Sequence, residues 1–197
     1  MAKLTLITGG AKSGKSEVAE DMYANEHGVC YIATSVIRAN QDSEMKLKIK
    51  KHRQRRPADW TTEERYKDVS IFVLMNDYQK YLLDDATMMT TNLFFDLVAK
   101  MYNDFPGNVD EDIEQMNKDE IESIQTTILQ EFSKVVDSLQ RTDQEMTIVT
   151  NEVGLGLVPA SKESRILRDT YGLVNQLLAK KADDVYFVIS GLSQKIK

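Results

Sequence analysis

Gly9-Gly10-Ala11-Lys12-Ser13-Gly14-Lys15-Ser16 follows the apolar run Leu4-Thr5-Leu6-Ile7-Thr8 and leads into Glu17-Val18-Ala19-Glu20-Asp21-Met22. The quoted octet is a complete phosphate-binding P-loop, the run before it reads as a buried strand, and the segment after it opens a helix. Strand, glycine loop and helix in that order form the context in which this motif binds a nucleoside triphosphate. Glycine lets the backbone approach the phosphates, while successive N–H groups and the helix N-terminus face the negative charge. Gly9 through Ser16 are therefore assigned to nucleotide binding. Within the loop, Lys15 is set to meet the β- and γ-phosphates and Ser16 to place its hydroxyl on Mg²⁺.

The 197 residues, 42% of them hydrophobic, suit a single α/β domain spanning 1–197. A net charge of −6 provides no global field for nucleic acid or an anionic membrane, so neither is expected as a partner. Cys30 is the only cysteine and lies in the apolar run Val29-Cys30-Tyr31-Ile32-Ala33. This excludes an intrachain disulfide and reads as core packing in a reducing compartment. The N-terminus enters a strand directly, and no apolar run reaches membrane-spanning length. A cytoplasmic protein without a membrane span is the expectation.

Apolar runs at 4–8, 29–33, 81–84, 146–150 and 185–190 read as central strands, and 70–75 as a further one. Helical patterns separate most of them, which predicts a mainly parallel sheet with right-handed crossovers. After Asp119, the residues Ile121, Ile124, Ile128, Phe132, Val135 and Leu139 recur at helical spacing and predict a helix packed on the sheet. The acidic series Asp110-Glu111-Asp112 with Glu114, Asp119 and Glu120 reads as a solvated loop and helix entry.

Ligands of open α/β sheets lie at the carboxyl ends of the strands, and these ends are polar here: Thr34-Ser35, Asp84-Asp85, Asn151-Glu152 and Ser190-Gly191. Asp84 is positioned as the acidic residue that holds Mg²⁺ directly or through water, with a turn or helix cap as its alternative role. Asp85 is the weaker metal candidate and could instead start the segment containing Met88 and Met89. The run Lys46-Leu47-Lys48-Ile49-Lys50-Lys51-His52-Arg53-Gln54-Arg55-Arg56-Pro57 is strongly basic in an acidic protein. It can be a solvated helix face or a device that neutralises polyphosphate. His52 sits among cations that favour its neutral, nucleophilic form. His27 has no such surroundings and is expected to play no chemical role.

Taken together, these segments resemble the bifunctional adenosylcobinamide kinase/adenosylcobinamide-phosphate guanylyltransferase family of cobalamin biosynthesis. The resemblance begins with the P-loop and continues through Tyr31-Ile32-Ala33-Thr34-Ser35, His52-Arg53-Gln54-Arg55-Arg56-Pro57-Ala58-Asp59-Trp60 with Glu64, and Thr91-Asn92-Leu93. Its most specific stretch is Thr150-Asn151-Glu152-Val153-Gly154-Leu155-Gly156-Leu157-Val158-Pro159. Arg168-Asp169, Gly172, Val174-Asn175-Gln176, Ala182-Asp183 and Ser190-Gly191 follow it.

The resemblance implies a RecA-like P-loop fold, a homotrimer and a corrinoid substrate. It also implies two reactions: phosphorylation of adenosylcobinamide by ATP or GTP, then GMP transfer from GTP through a GMP–histidine at His52. Adenosylcobinamide-GDP and pyrophosphate would be the products. Nucleotide contacts carry over to Thr34, Ser35, Arg53, Gln54, Arg55, Arg56, Glu64 and Asp84. Lys51 stands where some members have a second histidine, and Asp85 where the family often has cysteine. Two other readings use the same P-loop: a kinase of another small alcohol, and a nucleotide-binding regulator with little turnover.

Overall fold

The computed structural model describes residues 2–35, 56–102 and 109–197. In chain order its first half holds β1 (Lys3–Gly9), α1 (Lys15–Met22), β2 (Cys30–Ala33), β3 (Thr61–Glu64), α2 (Val69–Met75), β4 (Lys80–Asp84) and α3 (Ala86–Tyr102). The second half adds α4 (Val109–Gln115), α5 (Lys118–Thr142), β5 (Glu145–Asn151), α6 (Lys162–Lys181), β6 (Asp184–Ile189) and β7 (Leu192–Lys195). The strands form a seven-stranded sheet in the order β3-β2-β4-β5-β1-β6-β7, parallel throughout except for the antiparallel β6–β7 pair.

The central strands are continuous apolar runs because both faces of the sheet are covered. Alternation along a strand divides each run between two cores. Leu4, Leu6, Tyr81, Leu83, Met146 and Ile148 pack against α2, α3, α5 and α6, whereas Ile7, Leu82 and Val149 pack with Ala19 and Tyr23 on the α1 side. The expected apolar stripe of α5 is buried from Ile124 to Leu139. Its start is fixed by a capping box, in which the Asn117 side chain accepts from Glu120 N and the Glu120 carboxylate accepts from Asn117 N.

Residues 70–75 form helix α2 instead of the expected strand. Ile71-Phe72-Val73 is β-prone locally, but burial of Val69 and Val73, four residues apart, gives the segment a helical face against α5. Residues 109–115 form a helix of their own where a solvated loop and helix entry was expected, because Ile113 buries one side and acidic residues fill the first turn. β3 and β7 were not anticipated. β3 is a polar edge strand, Thr-Thr-Glu-Glu, without an apolar run to mark it. β7 pairs through the two-residue turn Ser190-Gly191, whose φ values of 52° and 82° belong to a tight hairpin.

Cys30 is fully buried, and burial pushes its thiol up to about 12. A free thiol ionises near 8.5, so this preference for the neutral form is fully present below about pH 8.5 and is lost as pH rises toward the folded value. Native protein at pH 8 is therefore expected to resist iodoacetamide, and denatured protein to react. Prompt labelling of the native state would show that Cys30 is accessible.

Candidate active site

The backbone of the P-loop dictates its glycines. Gly14 has φ of 92°, and a Cβ added there would lie 3.2 Å from Gly191 Cα. At Gly9 a Cβ would meet Val188 O at 2.5 Å. Side chains at either position would open the loop, so glycine here has a geometric cause. Ser13 N donates to Gly10 O at 3.2 Å, and Gly191 N donates to Ser13 O at 2.7 Å. The β6–β7 turn, read from sequence only as a polar strand end, thus buttresses the loop from one side.

Lys15 folds back and donates from Nζ to Gly10 O at 3.2 Å. Burial lowers its ammonium pKa, and the nearby Asp85 and Asp84 carboxylates oppose that shift. Ser16, in the first turn of α1, donates its hydroxyl to Asp84 Oδ1 at 3.2 Å, across the end of β5. The two assigned metal-binding residues are therefore adjacent. A hydroxyl and one carboxylate, with phosphate and water completing the shell, suit a hard octahedral cation such as Mg²⁺.

The other Asp84 oxygen accepts from the Tyr31 hydroxyl. Burial and the Asp84 charge push that phenol well above its ordinary pKa, so it remains a donor. The Arg56 guanidinium stacks 3.1 Å above the Tyr31 ring and pairs through Nε with Glu20 Oε1 at 3.4 Å. Glu20–Arg56–Tyr31–Asp84 thus forms one connected chain of contacts, whereas sequence reasoning had assigned Arg56 to nucleotide alone. Glu20 and Tyr31 were missed because each lies within an ordinary helix or strand pattern. Truncating Tyr31 to Phe should raise the Mg²⁺ concentration for half-maximal turnover by about tenfold, the scale of one hydrogen bond to a charged group. Asp84→Asn should raise it further. Unchanged Mg²⁺ titrations in both variants would assign the metal to other groups.

Asp85 takes the alternative role left open for it. Its carboxylate accepts from Met88 N at 3.0 Å at the head of α3, and from Asn151 Nδ2 at 3.3 Å. Burial raises its pKa. Thr34 is fully buried, with its hydroxyl 2.9 Å from Asp84 O and 2.7 Å from Asp85 O. Its side chain fixes the turn after β4. Ser35 follows it at the same edge, and Glu64 closes β3 in register with Ala33. His52, Arg53, Gln54 and Arg55 lie outside the described residues. His27 bonds Asp59 Oδ2 through Nδ1 at 2.8 Å on the surface, which gives it a structural contact.

Behind Asp85 a polar network ties three elements together. Thr150 donates to Asn175 Oδ1 at 2.7 Å, Asn175 Nδ2 donates to Asn151 O at 3.0 Å, and Asn151 N donates to Thr87 Oγ1 at 2.9 Å. Glu152 N then donates to Gly9 O at 3.0 Å and joins the network to the base of the P-loop. The whole arrangement can hold a polyphosphate at Lys15, a divalent cation at Ser16 and Asp84, and a second reactant at the open end of β5.

The family described as cobinamide kinase / cobinamide phosphate guanyltransferase matches residues 5–196. The chain is 39% identical to the bifunctional adenosylcobalamin biosynthesis protein CobU of Escherichia coli over 196 residues, covering 98% of this chain and 99% of that protein. The Salmonella typhimurium CobU is 38% identical, with the same coverage. The bifunctional protein CobP of Pseudomonas aeruginosa is 31% identical, covering 98% of this chain and 96% of that protein.

Proposed function

The chain belongs to the cobinamide kinase/cobinamide phosphate guanyltransferase family, and on that premise we propose that it is a bifunctional enzyme of adenosylcobalamin biosynthesis. In the first reaction the aminopropanol hydroxyl of adenosylcobinamide attacks the γ-phosphate of ATP or GTP. The bond from Pγ to the β-bridging oxygen breaks, the hydroxyl proton passes to solvent, and the nucleoside diphosphate leaves. In the second, His52 attacks the α-phosphate of GTP and pyrophosphate leaves. The acceptor phosphate then attacks that phosphorus, the N–P bond breaks, and adenosylcobinamide-GDP forms.

The observation that carries this reading is the convergence of Lys15, Ser16 and Asp84 at one loop, with Ser16 Oγ 3.2 Å from Asp84 Oδ1. Lys15 exchanges Gly10 O for phosphate oxygens and stabilises charge that grows during transfer. Ser16 and Asp84 would hold Mg²⁺, which when bound neutralises phosphate charge. Arg56 pairs with Glu20 and stacks on Tyr31, which ties the end of the basic segment to the contacts of Asp84.

Mass spectrometry of adenosylcobinamide incubated with GTP and Mg²⁺ tests the reading. The expected products are the phosphate first and the GDP conjugate later. Phosphate alone would favour a simple kinase, and no corrinoid product would overturn the proposal. The same reading includes a cytoplasmic homotrimer. A monomer in sedimentation at working concentration would refute the trimer.

A further inference from the structure

The second reactant needs its own place, and the surroundings of the P-loop restrict where it can enter. Gly191 buttresses one flank, and Asp84, Tyr31 and Arg56 occupy the other. Among the described residues, the approach left between them passes over the end of β5. There a cavity of about 410 Å³ opens between α6, Gln125 of α5 and Gly154. Its wall is linked to the nucleotide edge through Asn175 and Glu152.

The lining has the composition of a site for a phosphorylated, amide-bearing ligand. Arg168, Gly172 and Gln176 succeed one another at four-residue spacing along one face of α6. Gly172 lies inside a helix, where only proline is less favourable, and a Cβ there would meet nothing within 4 Å. A Cβ there would project into open space, so neither the backbone nor the protein's own packing requires glycine, and a larger side chain at 172 would enter the cavity. Arg168 lines the cavity beside Asp169, whose Oδ1 lies 3.7 Å from the guanidinium Nε and whose side chain is two-thirds exposed; the guanidinium engages that carboxylate only at the edge of the cavity. That leaves its donors suited to a phosphate monoester.

The adjoining loop supplies the apolar part. Leu155, Leu157 and Val158 are 82%, 95% and 68% exposed. The loop is nevertheless held at both ends: Gly154 N donates to Glu152 Oε1 at 2.6 Å, and Arg165 donates to Pro159 O at 3.2 Å. A fixed loop that presents three bare aliphatic side chains beside a cavity of mixed polar and apolar lining matches a large amphipathic ligand with a phosphorylated arm. Ligand pockets span about 300–1,000 Å³, so a cavity of this size takes the arm and leaves a macrocycle outside on the loop.

We propose that this cavity receives the aminopropanol phosphate arm of the corrinoid acceptor, with Arg168 on its phosphate and Leu155, Leu157 and Val158 beneath the macrocycle. The proposal rests on the function argued above and adds the acceptor's location to it.

Equilibrium titration of the whole protein with cobinamide and with cobinamide phosphate, alongside GTP, tests it. Gly172→Leu should fill the cavity and weaken both corrinoids by about tenfold or more, while GTP affinity is unchanged. Arg168→Ala should selectively weaken the phosphate and so erase the preference for it over the alcohol. Arg168 is partly exposed at the cavity wall, and this second variant decides the matter if Gly172→Leu does not fold. Wild-type corrinoid affinity in both variants overturns the site and leaves the function intact. No corrinoid binding by wild-type protein overturns the function and the site with it. If Leu157→Ser changes the oligomeric state and not corrinoid affinity, the loop is a contact between copies and its assigned role fails.

Discussion

Lys15→Ala is expected to yield a folded protein whose phosphoryl transfer is slower by about 10²–10³-fold, the cost of removing one preorganised stabiliser of transition-state charge. The loss should fall on kcat more than on KM for the nucleotide, because backbone N–H groups of the loop still bind the ground-state phosphates. Lys15 is also the cation between two carboxylates. Without it, Asp85 loses an interaction that opposes the rise in its pKa caused by burial. Asp84 loses the same cation on the side of the metal site. Lys15→Arg keeps the charge but replaces a compact ammonium with a planar fork, so it should recover little turnover. Thermal melts separate chemistry from folding. Near-normal turnover in a folded Lys15→Ala protein would remove Lys15 from the mechanism.

The parts of this edge that were legible in the sequence are those whose chemistry is local. The P-loop needs its glycines, Lys15 and Ser16 within eight consecutive residues, so its pattern survives without knowledge of the fold. Central strands were legible because burial on both faces leaves uninterrupted apolar runs. Asp84 was singled out by a rule about strand ends, and the structure brings it to Ser16 from a strand two positions away.

What stayed hidden depends on partners distant in sequence. Arg56 reads as one cation in a basic run, yet its guanidinium is committed to Glu20 and Tyr31, 36 and 25 residues away. Residues 70–75 read as a strand because Ile71, Phe72 and Val73 form a β-prone apolar run, and packing against α5 overrides that preference. β3 carries no apolar signal, since an edge strand of threonine and glutamate owes its conformation to the neighbour it pairs with. The β7 hairpin was the exception. Ser190-Gly191 between two short strands was a usable turn signal, but it was read as a ligand-facing strand end.

His52→Ala is expected to separate the two reactions. His52 lies outside the described residues, and its assigned role rests on its chemistry: a neutral imidazole among cations can attack the α-phosphate of a bound GTP. Cationic neighbours also neutralise the departing pyrophosphate. The resulting phosphoramidate is labile enough to pass its GMP to the acceptor phosphate, which a serine ester would do poorly. Phosphorylation needs no such relay, because the acceptor hydroxyl attacks the γ-phosphate directly. The variant should therefore form no covalent GMP and no GDP conjugate, while kinase turnover remains within about tenfold of wild type. Labelling with GTP radiolabelled at the α- or the γ-phosphate reads this out after denaturation. Wild-type protein should retain only the α-label, in a bond that acid cleaves and base spares. Full α-labelling of His52→Ala would place the nucleophile elsewhere, and an unlabelled wild type with GTP and Mg²⁺ would reduce the protein to a kinase.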